Sequence, residues 1–275
     1  MTAHEGGRDD RDLVTFSFGK NWERFVRTRF SEERVEISRK HLLDFLGAQN
    51  LRGKHFLDIG CGSGLHSLAA CRSGATRIVS VDVDPYAVRT TKRIWERAGS
   101  PPHWQVLEGS ILDAGFVARL EPADIVYAWG VLHHTGDLWS ALRNTVSCIR
   151  AGGLLYVALY EKTPDSEHWT AVKKKYNRSS RLGKWGMELA YVYRTKFRTT
   201  NVRRLAESLR YIVGYRRSRG MAFWTDVRDW LGGWPYEPAT PQEVADFCAN
   251  SARLRILKVK TGEENAEYLI MKEPA

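Results

Sequence analysis

Three glycines at alternate positions after a short apolar run, Phe56-Leu57-Asp58-Ile59-Gly60-Cys61-Gly62-Ser63-Gly64, constrain this chain more than any other feature. Gly60, Gly62 and Gly64 let the backbone turn tightly off a buried strand and approach a ligand where a Cβ would stand in the way. A helix over Leu65–Arg72 should follow, and its first N–H groups, lacking intrahelical partners, point into the same gap. The next strand-like run, Arg77–Asp82, ends in an acid about twenty residues on, placed to accept from both ribose hydroxyls of an adenosine-containing cofactor. The spacing is G-x-G-x-G. A nicotinamide fingerprint, G-x-G-x-x-G, would want glycine at position 65, where the chain has Leu65, so the diphosphate reading weakens.

From this point strands and helices alternate: His55–Ile59, helix Leu65–Arg72, Arg77–Asp82, helix Pro85–Arg97, Trp104–Glu108, Ile125–Trp129, helix Leu138–Cys148 and Leu154–Leu159. Such alternation predicts a parallel sheet with right-handed crossovers. Pro85 suits a first helical turn, where its missing N–H would be unpaired anyway. Ser31–Leu46 has helical spacing, but Ser31 is followed by Arg34 rather than Glu and lacks a full capping box. Near the end, Thr240-Pro241-Gln242-Glu243 supplies an N-cap, a proline at N1 and a Glu at N3, so a helix should run to about Asn250. Ile256–Lys260 and Tyr268–Met271 can then close as a hairpin.

Four stretches taken together resemble a known family. Asp58–Gly64, then Val81-Asp82-Val83-Asp84-Pro85, then Ala123-Asp124-Ile125-Val126-Tyr127-Ala128-Trp129-Gly130-Val131-Leu132-His133-His134, then Arg150-Ala151-Gly152-Gly153-Leu154-Leu155 are similar to the successive motifs of class I S-adenosylmethionine-dependent methyltransferases. The Gly-Val-Leu-His-His run points to the quinone-methylase-like branch. The resemblance covers residues 50–160 and, more loosely, 240–272. It implies a Rossmann-like α/β fold with a seven-stranded, mostly parallel sheet. It also implies S-adenosyl-L-methionine as cofactor, held by Asp58, Gly60, Cys61, Gly62, Gly64, Asp82, Val83 and Trp129. Many relatives carry Asp after the third strand to hold the adenine amino group. Here Glu108-Gly109-Ser110 offers Ser110 instead, with Ile111 beside it as the second adenine contact.

The whole chain carries +10, yet Lys162–Arg219 alone holds sixteen basic residues and four acids, so the remainder is slightly acidic. An insertion leaving the fifth strand starts at the carboxyl edge of the sheet, where such folds bind ligands. Residues 162–236 are therefore expected to form a basic, aromatic-rich helical cap over the methyl-accepting side. Residues 1–50 should form an N-terminal flap and helix, and 51–161 with 237–275 the cofactor-binding domain. Three explanations of the charge compete. Lysines 173–175 can be no more than a solvated helix face. Arg194, Arg198 or Arg203 can turn inward on a carboxylate or phosphate. Trp185, Tyr191, Tyr193, Phe197, Tyr211 and Tyr215 can stack RNA bases. Against RNA, Leu182, Trp185, Leu189 and Val192 recur at helical spacing, which usually means core. A small, anionic or aromatic or lipid-like acceptor ranks first and tRNA or rRNA second.

Methyl transfer from a sulfonium is an in-line displacement that depends on positioning, and a protic acceptor also needs a base. His133 and His134, at the mouth of the fourth strand, are the candidates, with Tyr160 orienting the acceptor. The alternative is that one ring packs on the cofactor loop and the other donates to a carbonyl. Asp226 or Asp229 can reach the acceptor while Trp230 and Trp234 form an apolar wall. Phe18 and Trp22, in the aromatic cluster Thr15–Trp22, either anchor the N-terminus or fold over the cofactor as a flap. His133, His134 and Asp137 match no trusted metal spacing, so no metal is expected. Four isolated cysteines and no apolar signal core suggest a cytoplasmic protein. No run is long enough to span a membrane, and the oligomeric state is left open.

Overall fold

Strand β1 (His55–Ile59), which runs into the glycines, lies inside one sheet, third in order, built with β2 (Arg77–Asp82), β3 (Trp104–Glu108), β4 (Ala123–Trp129), β5 (Ile149–Tyr160), β6 (Leu254–Lys260) and β7 (Asn265–Lys272). The computed structural model describes residues 18–197, 210, 223–251, 253–262 and 265–274. The charged first dozen residues, residues 15–17, and Arg198, Arg203, Tyr211 and Tyr215 of the cap lie outside the described residues. The strand order is β3-β2-β1-β4-β5-β7-β6. The first five strands are parallel, whereas β7 runs antiparallel to both β5 and β6. The chain thus leaves β1 in one direction toward β2 and later resumes on the other side at β4. That reversal opens a crevice beyond the carboxyl ends of β1 and β4.

Alternation along each strand sends Phe56, Ile78, Ile125, Tyr127 and Tyr156 to one face and Leu57, Val79, Val126, Leu155 and Val157 to the other. Helices α1 (Phe18–Arg29), α2 (Glu32–Leu46), α3 (Leu65–Arg72) and α4 (Pro85–Arg97) cover the first face, through residues such as Phe25, Leu42, Leu68 and Ile94. Helices α5 (Ala114–Val117) and α6 (Leu138–Ser147) cover the second through Phe116, Val117, Ala141 and Leu142, together with a late helix carrying Val244 and Cys248. With each buried aliphatic or aromatic side chain stabilising by about 2 kcal/mol, strands covered on both faces must be apolar at nearly every position.

The insertion after β5 forms α7 (Ser166–Arg178), α8 (Arg181–Val192), a π-helical turn over Tyr193–Phe197, and α9 (Phe223–Gly232). These pack on one another around Tyr176, Val192, Phe223, Val227 and Leu231. Helix α10 (Pro241–Asn250) starts with the expected capping box, Thr240 and Glu243 bonding reciprocally, and Pro241 in the first turn.

Some expectations need correction. The Leu182–Val192 stripe is not core, because Leu182, Trp185 and Leu189 are 81%, 60% and 39% exposed and only Val192 is buried. The inward side of α8 is instead set by Glu188, which accepts from the Tyr176 hydroxyl and pairs with Arg228. Strand β5 begins at Ile149 rather than Leu154, with a register shift between Ala123 and Ile125 of its partner β4. Gly152, at φ +75°, lets the strand pass through that irregular stretch. The N-terminal aromatic cluster is helical from Phe18 onward.

Candidate active site

A cavity of about 1160 Å³ occupies the crevice at the carboxyl ends of the strands. One of its walls is nearly all backbone. Gly60, Gly62 and Gly64 have φ of +70°, +51° and +75°, the left-handed region that other residues adopt only under strain. A Cβ on Gly60 would meet the Val131 side chain at 2.3 Å, and one on Gly62 the Trp22 indole at 2.9 Å. The Gly60 and Cys61 N–H groups both donate to the Val81 carbonyl, which pins the loop to the end of β2.

Asp82 sits at that end with one carboxylate oxygen accepting from Gly62 N–H at 3.0 Å and the other from Asp84 N–H at 2.9 Å. A carboxylate has about four acceptor sites, so two remain for incoming hydroxyls. Burial lifts Asp82 to about 6, against the opposing pull of the Asp84 and Gly62 N–H groups. Asp58 is deeper and bonds Ser67, which also contacts Ser80; burial carries Asp58 to about 7 despite the Ser67 hydroxyl. Cys61 is buried and accepts from Thr91, Val83 is exposed at the rim, and Ile111 is buried beside the cavity. The Ser110 hydroxyl accepts from Leu112 N–H, closing a local turn. Asp82 with two free acceptor sites, the close-approaching glycine loop and a cavity of this size together fit an adenosine moiety.

The opposite wall is made of side chains. His133 is buried, accepts from Tyr160 N–H at 3.1 Å through Nδ1, and receives Glu237 N–H on its carbonyl. His134 Nδ1 lies 2.5 Å from the Pro235 carbonyl. A carbonyl only accepts, so Nδ1 carries the proton and the lone pair is on Nε2. Burial lowers His134 to about 3, and the Lys173 charge adds to this while the Pro235 bond opposes it. His133 is pushed well below its ordinary value by burial, then by His134 and Lys173. Both rings are neutral at physiological pH.

Tyr160, at the end of β5, packs against both histidines, Trp230 and Tyr236. Above it, Lys173 is fully buried, donates to the Trp230 carbonyl, and lies 4.4 Å from the Trp230 ring centre and 4.9 Å from that of Tyr236. Of the three consecutive lysines, 173 thus faces inward, Lys174 lies over Trp234 and Lys175 is exposed. Asp229 lines the cavity and accepts from Asn21; Asp226 belongs to α9, with its side chain outside the described residues.

Helix α1 lies across the opening. Phe18 packs 4.8 Å from the His134 ring, Gly19 N–H donates to Asp84, and Asn21 reaches Asp229 at 2.7 Å. One short segment therefore touches the glycine loop, the β2 end, the histidines and helix α9. Sequence reasoning missed a further cluster along the cavity floor: Trp129, Tyr156, His41 and Lys260 around a buried Glu267. The available signal was a lone acid in the otherwise apolar stretch Ala266–Met271. Among the described residues no group of His, Cys, Asp and Glu could hold a metal ion, and no helix is long and apolar enough to cross a membrane.

The family described as "Methyltransferase domain" matches residues 27–210. A ubiquinone biosynthesis O-methyltransferase from Methylobacterium sp. (strain 4-46) is 34% identical over 155 residues, 56% of this chain and 59% of that protein. A ribosomal protein L11 methyltransferase from Photorhabdus laumondii is 41% identical over 83 residues, 30% of this chain and 25% of the other. The chain thus spans well under two thirds of the curated relatives it matches. In fold, it is similar to magnesium protoporphyrin IX methyltransferase from Synechocystis PCC 6803, solved with bound SAH, with a TM-score of 0.54, 12% identity, and 96% and 98% of the two chains covered.

Proposed function

The chain belongs to the methyltransferase domain family, with S-adenosylmethionine as its cofactor, and from that premise we propose that it methylates a small acceptor with an aromatic or otherwise apolar body. The observation that carries this reading is a single cavity running from the glycine loop and Asp82 to His134 and Tyr160. In it, Asp82 would accept from the ribose hydroxyls, the loop 60–64 would lie against the amino-acid portion, and Ser110 and Ile111 would border the adenine. When bound, S-adenosylmethionine supplies an electrophilic methyl group on a sulfonium.

The chain's own residues would do the rest by positioning. His134, although lowered to about 3, would accept the acceptor's proton at Nε2 as methylation makes that proton strongly acidic, Nε2 being the only ring nitrogen left with a lone pair once Nδ1 donates to Pro235. His133, saturated by Tyr160 N–H, would hold the β5 end in place rather than move protons. Phe18 and Trp22 on α1 would exclude water, as lids do where a reactive group must be desolvated. The naming of relatives for ubiquinone biosynthesis supports a small-molecule acceptor over RNA. So does the placement of Lys173, which lies buried against Trp230 and Tyr236 rather than at a surface where phosphates could reach it.

Labelled S-adenosylmethionine incubated with the protein and separated small-molecule and RNA fractions of a cell extract tests this. Label is expected in the small-molecule fraction. Label in RNA alone would overturn the acceptor class, and calorimetry showing no binding of cofactor or its demethylated product would overturn the enzyme.

A further inference from the structure

The cavity floor away from Asp82 contains a second polar site. Trp129 on β4, Ala158 on β5, Glu267 on β7 and Lys260 on β6 pair in one row across the sheet. Paired residues point to the same face, so Trp129 and Glu267 flank the small, fully buried Ala158 and meet across it, with Trp129 Nε1 3.4 Å from Glu267 Oε2. Glu267 is 4% exposed. An ionised carboxylate buried on a strand is costly unless partners or a ligand compensate.

Its present partners compensate unevenly. The Tyr156 hydroxyl donates closely to Oε2, but Trp129 Nε1 is at 3.4 Å and His41 Nε2 at 3.6 Å from the same atom, while Lys260 Nζ is 3.3 Å from Oε1. Only one of these contacts is tight, so the carboxylate retains capacity for another donor. It is also held ionised. Burial pushes Glu267 upward, yet Tyr156, His41 and Lys260 outweigh burial and set it below the usual carboxylate range.

Two neutral polar atoms belong to residues that line the same cavity. The Tyr127 hydroxyl, on a residue 2% exposed, and Asn265 Oδ1 are buried with no hydrogen-bond partner among the described residues. Buried polar groups are nearly always paired, so orphans on cavity-lining residues mark where a small side-chain shift on binding would bring a ligand's polar atoms within reach. Trp129 and Tyr160 line the same cavity.

We infer that this row is the acceptor subsite, and that Glu267, Tyr127 and Asn265 select a neutral acceptor bearing a hydroxyl on a ring-sized apolar body. That hydroxyl, distinct from the group whose proton His134 takes, donates to the Glu267 carboxylate, and a carboxylate-bearing acceptor is disfavoured because it would face a buried negative charge with no proton to share. This inference rests on the methyltransferase reading and deepens it. It moves acceptor recognition from the basic insertion to the sheet edge.

Ligand-observed NMR titrations of the full chain saturated with S-adenosylhomocysteine test it, using 4-ethylphenol, 4-ethylanisole and 4-ethylbenzoate as probes. The phenol is expected to bind at least tenfold more tightly than its methyl ether or the benzoate. Glu267→Gln should remove that preference while S-adenosylhomocysteine affinity stays within twofold, which also reports that the variant is folded. Tyr127→Phe, which deletes only a hydroxyl, should weaken the phenol severalfold. Equal binding of the three probes, or tighter benzoate binding, overturns the inference. A Glu267→Gln variant that loses S-adenosylhomocysteine equally overturns it too, by assigning the row to the cofactor. Failure of the unaltered protein to bind S-adenosylhomocysteine would instead remove the cofactor reading beneath it.

Discussion

The two ends of the cavity are built from different materials. At the Asp82 end the wall is backbone: glycines at positive φ, N–H groups donating to Asp82, and a loop tied to the Val81 carbonyl. At the His134 end it is stacked side chains drawn from β5, α1, α9 and the loop after β4. A backbone wall accepts almost no substitution, since a Cβ on Gly60 would overlap Val131. A side-chain wall can be re-lined residue by residue without disturbing the strands beneath. The glycine-loop end is accordingly closed to substitution and the His134 end open to it.

If that division is real, changes at the two ends should separate binding from turnover. The largest effect is expected at His134. His134→Ala should lower turnover by roughly 10²- to 10⁴-fold, the usual contribution of a positioned base, while calorimetric affinity for S-adenosylhomocysteine stays within twofold. Asp82→Ala should do the reverse. Losing the acceptor of two hydroxyls should weaken S-adenosylhomocysteine by about a hundredfold, or ~3 kcal/mol. Equal loss of cofactor affinity in both variants would show one undivided site.

The same division explains what was legible in the sequence. Gly60, Gly62, Gly64 and Asp82 announce themselves because backbone geometry demands particular residue types at fixed spacings, and the strand order follows from the alternation around them. The acceptor end gives no such signal. Lys173 reads as one of three surface lysines and is fully buried, whereas Leu182 and Trp185 read as core and are exposed. Glu267 gathers His41, Tyr156 and Lys260 from positions more than two hundred residues apart in the extreme case, a proximity created by the β5–β7–β6 pairing and by the packing of α2 against Tyr156.

Helix α1 touches both ends, and its effect should be smaller. Asn21→Ala removes the 2.7 Å bond to Asp229, worth about 1 kcal/mol, and should speed S-adenosylhomocysteine release by roughly fivefold in stopped-flow fluorescence. Turnover per bound cofactor should be preserved. An unchanged release rate would mean that α1 opens without breaking its link to the cap.

Protonation offers the finest separation, because the two ends respond to pH with opposite sign. Asp82 and Asp58, ordinarily at 3.8, stand at about 6 and 7, so each favours folding fully below pH 4 and loses that contribution as pH rises through those values. His134, ordinarily at 6.5, stands at about 3, so it favours folding above pH 6.5 and loses that contribution as pH falls toward that value. Between about pH 4 and 6.5 the two trends oppose, and the thermal midpoint of the free protein should change little. Cofactor binding isolates one of them. Ribose hydroxyls donating to Asp82 favour its ionised form, so S-adenosylhomocysteine affinity should fall as pH drops below about 6, approaching tenfold per unit. Titrations at pH 7, 6 and 5 measure that slope, and Asp82→Asn, which cannot ionise, should flatten it. A slope that survives Asp82→Asn would place the titrating group elsewhere and deprive the backbone-built end of its one essential side chain.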